Sequence, residues 1–397
     1  MPSSLSVTAA NLRGSSVGAK NARGVGAITL GATRKTRNRI TPKRVLLIIV
    51  AFAAAVPTSA PLSARCTISR YRACSWLTAP SALQAQQRFR PKGQETTEAG
   101  GDRTIDAARA GMKMLMNGRP DEAIKTFQQI QQDDPESAVG YLLEADATWW
   151  KIYLTIGNLV DPDVFDVANT QKSAYDARFE EILNVAIRKA EASIHAQRDV
   201  ARNYLYEGLG YGLRARFTGL RDSDLPTARA GKKMRSLLLQ AVATQPNLND
   251  AYLGLGIYNY FVDTLPTLVK MLKFLIGLPG GSRDLGLQQL ETAANKGDLV
   301  RSEAKFYLAK DCSRGTEQQY AKSLQLFQEL EREYPENMFW KLLVGSLEIR
   351  LGRVDEGESR YRAVLSRTQG ALSDVDQALH REAIKAIVRR HPGEHLE

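Results

Sequence analysis

Cysteine is scarce in this chain of 397 residues: Cys66, Cys74 and Cys312 are all there is. Three thiols, two of them near the N-terminus, exclude a disulfide framework and the paired spacings of structural zinc sites. Cys312 stands alone in the body and reads as a small apolar residue packed between helices. Histidine is as sparse, with four, and no Ser, Cys or His of the body stands in a recognisable nucleophile motif. Runs of alternating β-branched residues are missing too, which argues against a sheet-built fold. Acid is missing from one place: Met1 to Ala64 holds nine basic residues and no Asp or Glu, leaving the rest only +2 of the formal +11. A near-neutral body lacks the broad basic footprint of a DNA- or RNA-binding protein.

That acid-free stretch has the order of an export leader. A basic segment ends at Lys43 and Arg44, the apolar run VLLIIVAFAAAV covers Val45 to Val56, and the small-residue stretch PTSAPLSA follows. The run is short for a membrane span, which needs about 20 apolar residues. Cleavage after Ala60 or Ala64 fits, and SALQA before Gln86 is a further small-residue site. Arg65 separates LSA from Cys66, so no lipid-attachment cysteine stands where a lipobox needs it. The long Arg/Ser/Thr-rich prefix leaves a transit peptide or an uncleaved anchor as alternatives to export. The organisation expected is a leader over 1–64, a flexible Gln/Arg/Pro/Gly-rich tether over 65–101, a helical body over 102–390 and a disordered tail over 391–397. The body is then exported, periplasmic or extracellular, or membrane-anchored by an uncleaved leader.

In the body almost every segment has helical apolar spacing, and strand-poor sequences of this length invite a search for repeats. AARAGMKMLMNGRPDEAIKTFQQIQQDDP carries Gly111, Met114, Ala123, Phe127 and Pro135 at the spacings of a helix-turn-helix repeat. Small residues at Gly111 and Ala123 let two helices approach, Met114 and Phe127 fill the space around them, and Gly118 with Pro120 suits the turn. Weaker copies carry Tyr204, Gly208, Tyr211, Leu238, Ala241 and Pro246, then Tyr252, Leu255 and Gly256, then Phe327 and Pro335, and last Gly345, Gly352, Gly357 and Tyr361. An earlier unit opens with Tyr141 and Ala145 and closes on a helix from Tyr175 to Ala196. LVDPDVFDV and GLRDSDLP read as loops. The expected fold is all-α: an α-solenoid of about six helical pairs with one inserted helix and a polar C-terminal capping helix, ALSDVDQALHREAIKAIVRR.

Over most of Asp102 to Arg390 these residues resemble the tetratricopeptide-repeat family. AYLGLGIYNYFVDTLPTLVKMLKFLIGLPGGSRDLGLQQLETAANKG is also similar to secreted bacterial tetratricopeptide proteins of unassigned role. More distantly it resembles the eukaryotic tetratricopeptide-thirty-nine family, which shares a GLG helix and a leucine-rich LP segment. Neither likeness supplies a catalytic residue or a cofactor. In the repeat family the first helix of each pair lines the concave face, and counting from the first signature aromatic gives Leu142, Asp146 and Trp149, then Leu205, Leu209 and Gly212, then Leu253, Ile257 and Tyr260. That surface is apolar and aromatic and lacks the basic residues that grip a C-terminal carboxylate. Two readings of it stand: a groove for an apolar helical segment of a protein or peptide, or for a lipid, and a surface closed by the protein's own helices.

Other tempting motifs are weaker. GLPGGSR follows an apolar helix and lacks the GK[ST] ending of a phosphate loop, so Leu268 to Ile276 reads as an inserted helix packed on the stack, with lipid or partner contact as the alternative. Ser282 or Asp284 then caps the helix that follows. HPGEH at His391 spells a zinc-peptidase motif, but Pro392 and Gly393 oppose the helix it needs. Gly208, Gly210 and Gly212 imitate a dinucleotide fingerprint inside a repeat helix, where close packing accounts for them. The functional expectation is a non-enzymatic scaffold or adaptor of the cell envelope without cofactor or metal. An envelope lipid-handling protein is the alternative.

Overall fold

The computed structural model describes residues 95–156, 159–161, 168–265 and 277–392, with side chains from residue 103 onward. The stretches read as leader and, up to residue 94, as tether, the whole of the expected inserted helix from Leu268 to Ile276, most of LVDPDVFDV and the last five residues lie outside the described residues. Thirteen α-helices account for nearly all the rest: α1 (Glu95–Met116), α2 (Pro120–Asp133), α3 (Val139–Thr155), α4 (Asp176–His195), α5 (Val200–Leu220), α6 (Asp224–Thr244), α7 (Ala251–Thr264), α8 (Arg283–Lys296), α9 (Arg301–Cys312), α10 (Tyr320–Glu333), α11 (Met338–Arg350), α12 (Val354–Thr368) and α13 (Asp374–Val388). No strand occurs among the described residues. The fold is an all-α, tetratricopeptide-like solenoid of six helical pairs followed by a single helix.

In four of the six pairs a glycine of the repeat pattern lies where the two helices touch. Gly111 on α1 lies flat against the ring of Phe127 on α2, and a Cβ at Gly111 would stand 2.3 Å from its Cε1. The same seam recurs where Gly208 meets Leu238, Gly256 meets Leu290, and Gly345 meets Tyr361. Between α1 and α2, Gly118 adopts φ +82°, the left-handed conformation that ends a helix, and Pro120 occupies the first turn of α2. Two boundaries differ from the sequence reading. The first helix starts at Glu95, inside the stretch read as tether. GLRDSDLP is mostly helical: α5 runs to Leu220 and α6 begins at Asp224, with Leu225 and Pro226 in its first turn. The amide that proline lacks there would have had no helical partner.

The odd-numbered helices form an inner layer, and that layer closes on itself. α1 packs on α3, α3 on α5, α5 on α7, α7 on α9 and α11 on α13, while α13 returns to α3. At the centre Trp150 of α3 meets Phe306 of α9 at 5.1 Å between ring centroids, Trp340 of α11 at 6.2 Å and Phe339 at 6.4 Å. The first repeat is tied to the sixth: Asn337 Nδ2 and Trp340 Nε1 both donate to the carbonyl of Met116, at 2.8 and 3.0 Å. That carbonyl belongs to the end of α1, where no helical amide remains to reach it. The α3–α4 connection continues the closure, as Ser346 donates to the carbonyl of Val160 and Glu382 accepts from the amide of Leu159.

Candidate functional site

Closure decides the fate of the residues read as a groove. Leu142, Asp146 and Trp149 on α3, Leu205 on α5, and Leu253 and Tyr260 on α7 are all buried, while Leu209 and Ile257 are half-buried against the core. Gly212 packs under Met234. The first six are therefore buried within the chain, Leu205 at the edge of the cleft described below. The signature spacing places a residue on the inner side of its own pair; whether that side stays open depends on how far the whole stack curls.

Inside the layer sits a charge cluster. Arg216 of α5 donates to Glu303 and, at 3.0 Å, to the hydroxyl of Tyr307, both on α9, and its guanidinium lies 3.9 Å from Asp146 Oδ1 on α3. Two buried carboxylates thus share one cation. Burial pushes the Asp146 carboxyl well above the usual range, the neighbouring Glu303 pushes it further, and Arg216 offsets part of this. Burial likewise raises the Tyr307 phenol to about 12. The cluster joins three helices that are distant in sequence, and its buried groups are out of reach of a substrate. Cys312 is fully buried, and burial lifts its thiol to about 11, which leaves it unreactive at neutral pH.

An opening lies at one end of the inner layer. A cleft of about 480 Å³ is bounded by α1 (Ile105, Arg109), the start of α5 (Arg202, Leu205), and the loops 245–250 and 296–299. Arg109 makes a fork to Asp298, at 2.7 and 2.9 Å, and reaches Asp106 at 2.6 Å. Asp250 accepts from the amides of Asp298 at 2.6 Å and Leu299 at 3.1 Å, which ties the two loops together. Burial raises its carboxyl, and those amides pull it back. The floor is apolar (Leu205, Leu248, Leu299); the rim carries the amides of Gln245, Asn247 and Asn249 and the exposed Lys296, which has no ion pair among the described residues. Such a lining offers hydrogen bonds, two arginines already paired with aspartates, and the exposed Lys296 around three leucines. Of its residues only Leu205 was singled out by the repeat spacing. Asp250 precedes α7 without capping it, and its carboxylate serves the turn after α8.

The remaining motifs resolve simply. Ser282 caps α8, its hydroxyl accepting from the amide of Leu285 at 3.4 Å. His391 pairs with Glu358 at 2.9 Å, and HPGEH beyond Pro392 lies outside the described residues. His380 shares a hydrogen bond of 2.9 Å with Thr368. Gly208 and Gly210 pack on Leu238 and Ile187, as close helix contact requires. Among the described residues no group of His, Cys, Asp and Glu could hold a metal ion, and no helix is long and apolar enough to cross a membrane.

No curated protein matches the chain. Residues 108–137, which run from the second half of α1 through α2 to the loop before α3, match the family model of the tetratricopeptide repeat.

Proposed function

We propose that the protein is a non-enzymatic scaffold of the cell envelope that holds a segment of a partner protein in the end cleft. Tetratricopeptide repeats generally mediate protein–protein interaction, and the envelope assignment rests on the basic, apolar and small-residue order of the leader. The observation that carries the reading is the cleft itself: an apolar floor under a rim of three amides and an unpaired lysine suits a polypeptide, whose backbone offers both donors and acceptors. A lipid-handling role would need an open apolar interior, and the inner-layer positions read as such a groove are mostly occupied by the chain's own helices. The test is photo-crosslinking in cells from Asn249 and Lys296, with Lys125 on the exposed face of α2 as control. One protein captured from both cleft positions and not from the control supports the reading. Equal yields from all three positions overturn it.

A further inference from the structure

Outside the cleft, α6 departs from the other helices in charge. It carries four basic residues, Arg229, Lys232, Lys233 and Arg235, against the single acid Asp224. Lys233 pairs with Glu207 at 3.3 Å, and Arg235 lies over the ring of Tyr258 at 5.7 Å. Arg229 and Lys232 are exposed and have no such partner among the described residues. They sit on one stripe with Leu225 and Leu239, at spacings that keep all four on one side of the helix over roughly 21 Å. Both leucines are exposed, at 36% and 42%.

The stripe continues sideways onto the next repeat. Lys232 Nζ lies 3.3 Å from where a Cβ at Gly277 would stand, and the Tyr258 hydroxyl donates to the carbonyl of Pro279 at 2.8 Å, so the 277–282 loop lies against α6 and α7. Beyond it, α8 meets α7 at Gly286 and Tyr260; Phe261 and Leu285, the chain neighbours of these two residues, are 44% and 43% exposed. Four of the six large apolar side chains that are exposed among the described residues therefore fall on these three consecutive helices, two of them in line with the two unpaired cations.

We infer that this face is a docking surface for an anionic phospholipid membrane. A single partner helix would contact a line, whereas these apolar tips spread over three helices. Seated against a helix, Arg229 and Lys232 would be desolvated at the centre of the contact, while lipid phosphates meet them at the level of the headgroups as the leucines and the phenylalanine enter between them. The inference does not rest on the cleft, and crosslinking there tests the scaffold reading separately.

The experiment is flotation of the full chain with phosphatidylcholine vesicles, with and without phosphatidylglycerol, at low and high salt. The wild type is expected to float with the phosphatidylglycerol vesicles and to release them as salt rises. Arg229→Glu with Lys232→Glu should weaken binding on the order of 30-fold or more with an unchanged melt, and Lys113→Glu with Lys125→Glu should leave binding as it was. Equal flotation on neutral vesicles overturns the inference. So does flotation of the Arg229/Lys232 variant like the wild type, which would assign binding to the basic leader. An acidic protein held by the wild type and lost by that variant, without vesicle binding, overturns it in favour of a protein partner.

Discussion

Replacing Gly111 tests the repeat seam where the repeat pattern is clearest. A Cβ at this position would stand 2.3, 2.8 and 2.9 Å from Cε1, Cζ and Cδ1 of Phe127, so even alanine requires the ring to move. The ring has nowhere to go, because Phe127 is fully buried. Overpacking of a filled core costs about 1–3 kcal/mol, against which Gly→Ala in a helix returns up to about 1 kcal/mol. Gly111→Ala should therefore destabilise by about 1 kcal/mol, and Gly111→Leu, with three more carbons to place, by about 3 kcal/mol. At roughly 2–4 °C per kcal/mol for a large domain, leucine should lower Tm by roughly 6–12 °C. The assay is thermal unfolding followed by helical circular dichroism, with Phe127→Leu as second perturbation. If the clash is the cause, the Gly111→Ala/Phe127→Leu double variant should lose less than the sum of the two single changes. An unchanged Tm for Gly111→Leu, or strict additivity in the cycle, would refute the reasoning.

Three further outcomes are expected. The folded protein holds the proton of Asp146 more tightly than the unfolded chain does, so this group's contribution is fully present below the ordinary Asp value of about 3.9 and is lost as pH rises through the raised one. Denaturant melts should accordingly gain stability on mild acidification, and Asp146→Asn should flatten that part of the curve; superimposed curves would contradict it. Asn337→Ala removes a donor to the Met116 carbonyl and the cap on the amide of Phe339, and should cost about 2 kcal/mol with faster amide exchange at the start of α11. Trp340→Phe, which leaves Asn337 in place, should cost about 1 kcal/mol. N-terminal sequencing of the protein from its native cells should find a chain lacking Met1 to at least Ala60, and an intact Met1 on soluble cytosolic protein would contradict the export reading.

The sequence showed what a pair of helices shows and hid what the whole stack does. Gly111, Ala123 and Phe127 are legible because their partners lie within one repeat, at fixed separations along the chain. The number of pairs, the Ser282 cap and the C-terminal helix follow from equally local signals. Closure of the stack depends on Trp150 meeting Phe306, Phe339 and Trp340, residues more than 150 positions away, and on Met116 meeting Asn337 across 221 positions. No spacing rule carries that information, so the letters alone leave open whether the concave positions line a groove or are covered by the protein's own helices. The end cleft was illegible for a related reason: its walls come from four separate stretches, two of them loops, and its shape exists only once α1 lies against the 296–299 turn. The cationic stripe on α6 was present in the letters, but the exposure that makes it notable was not.

The account turns on closure, since an open solenoid would return the concave face to partners and dissolve the end cleft. The turn after α1 faces the loop before α11 at Arg119 and Glu336, whose side chains approach to 3.6 Å. Spin labels at Arg119→Cys and Glu336→Cys, with Cys66 and Cys74 replaced by serine and Cys312 shielded by burial, measure this contact in solution. A closed stack predicts strong dipolar broadening that disappears on unfolding. Spectra of the doubly labelled protein equal to the sum of the two single-label spectra would contradict it.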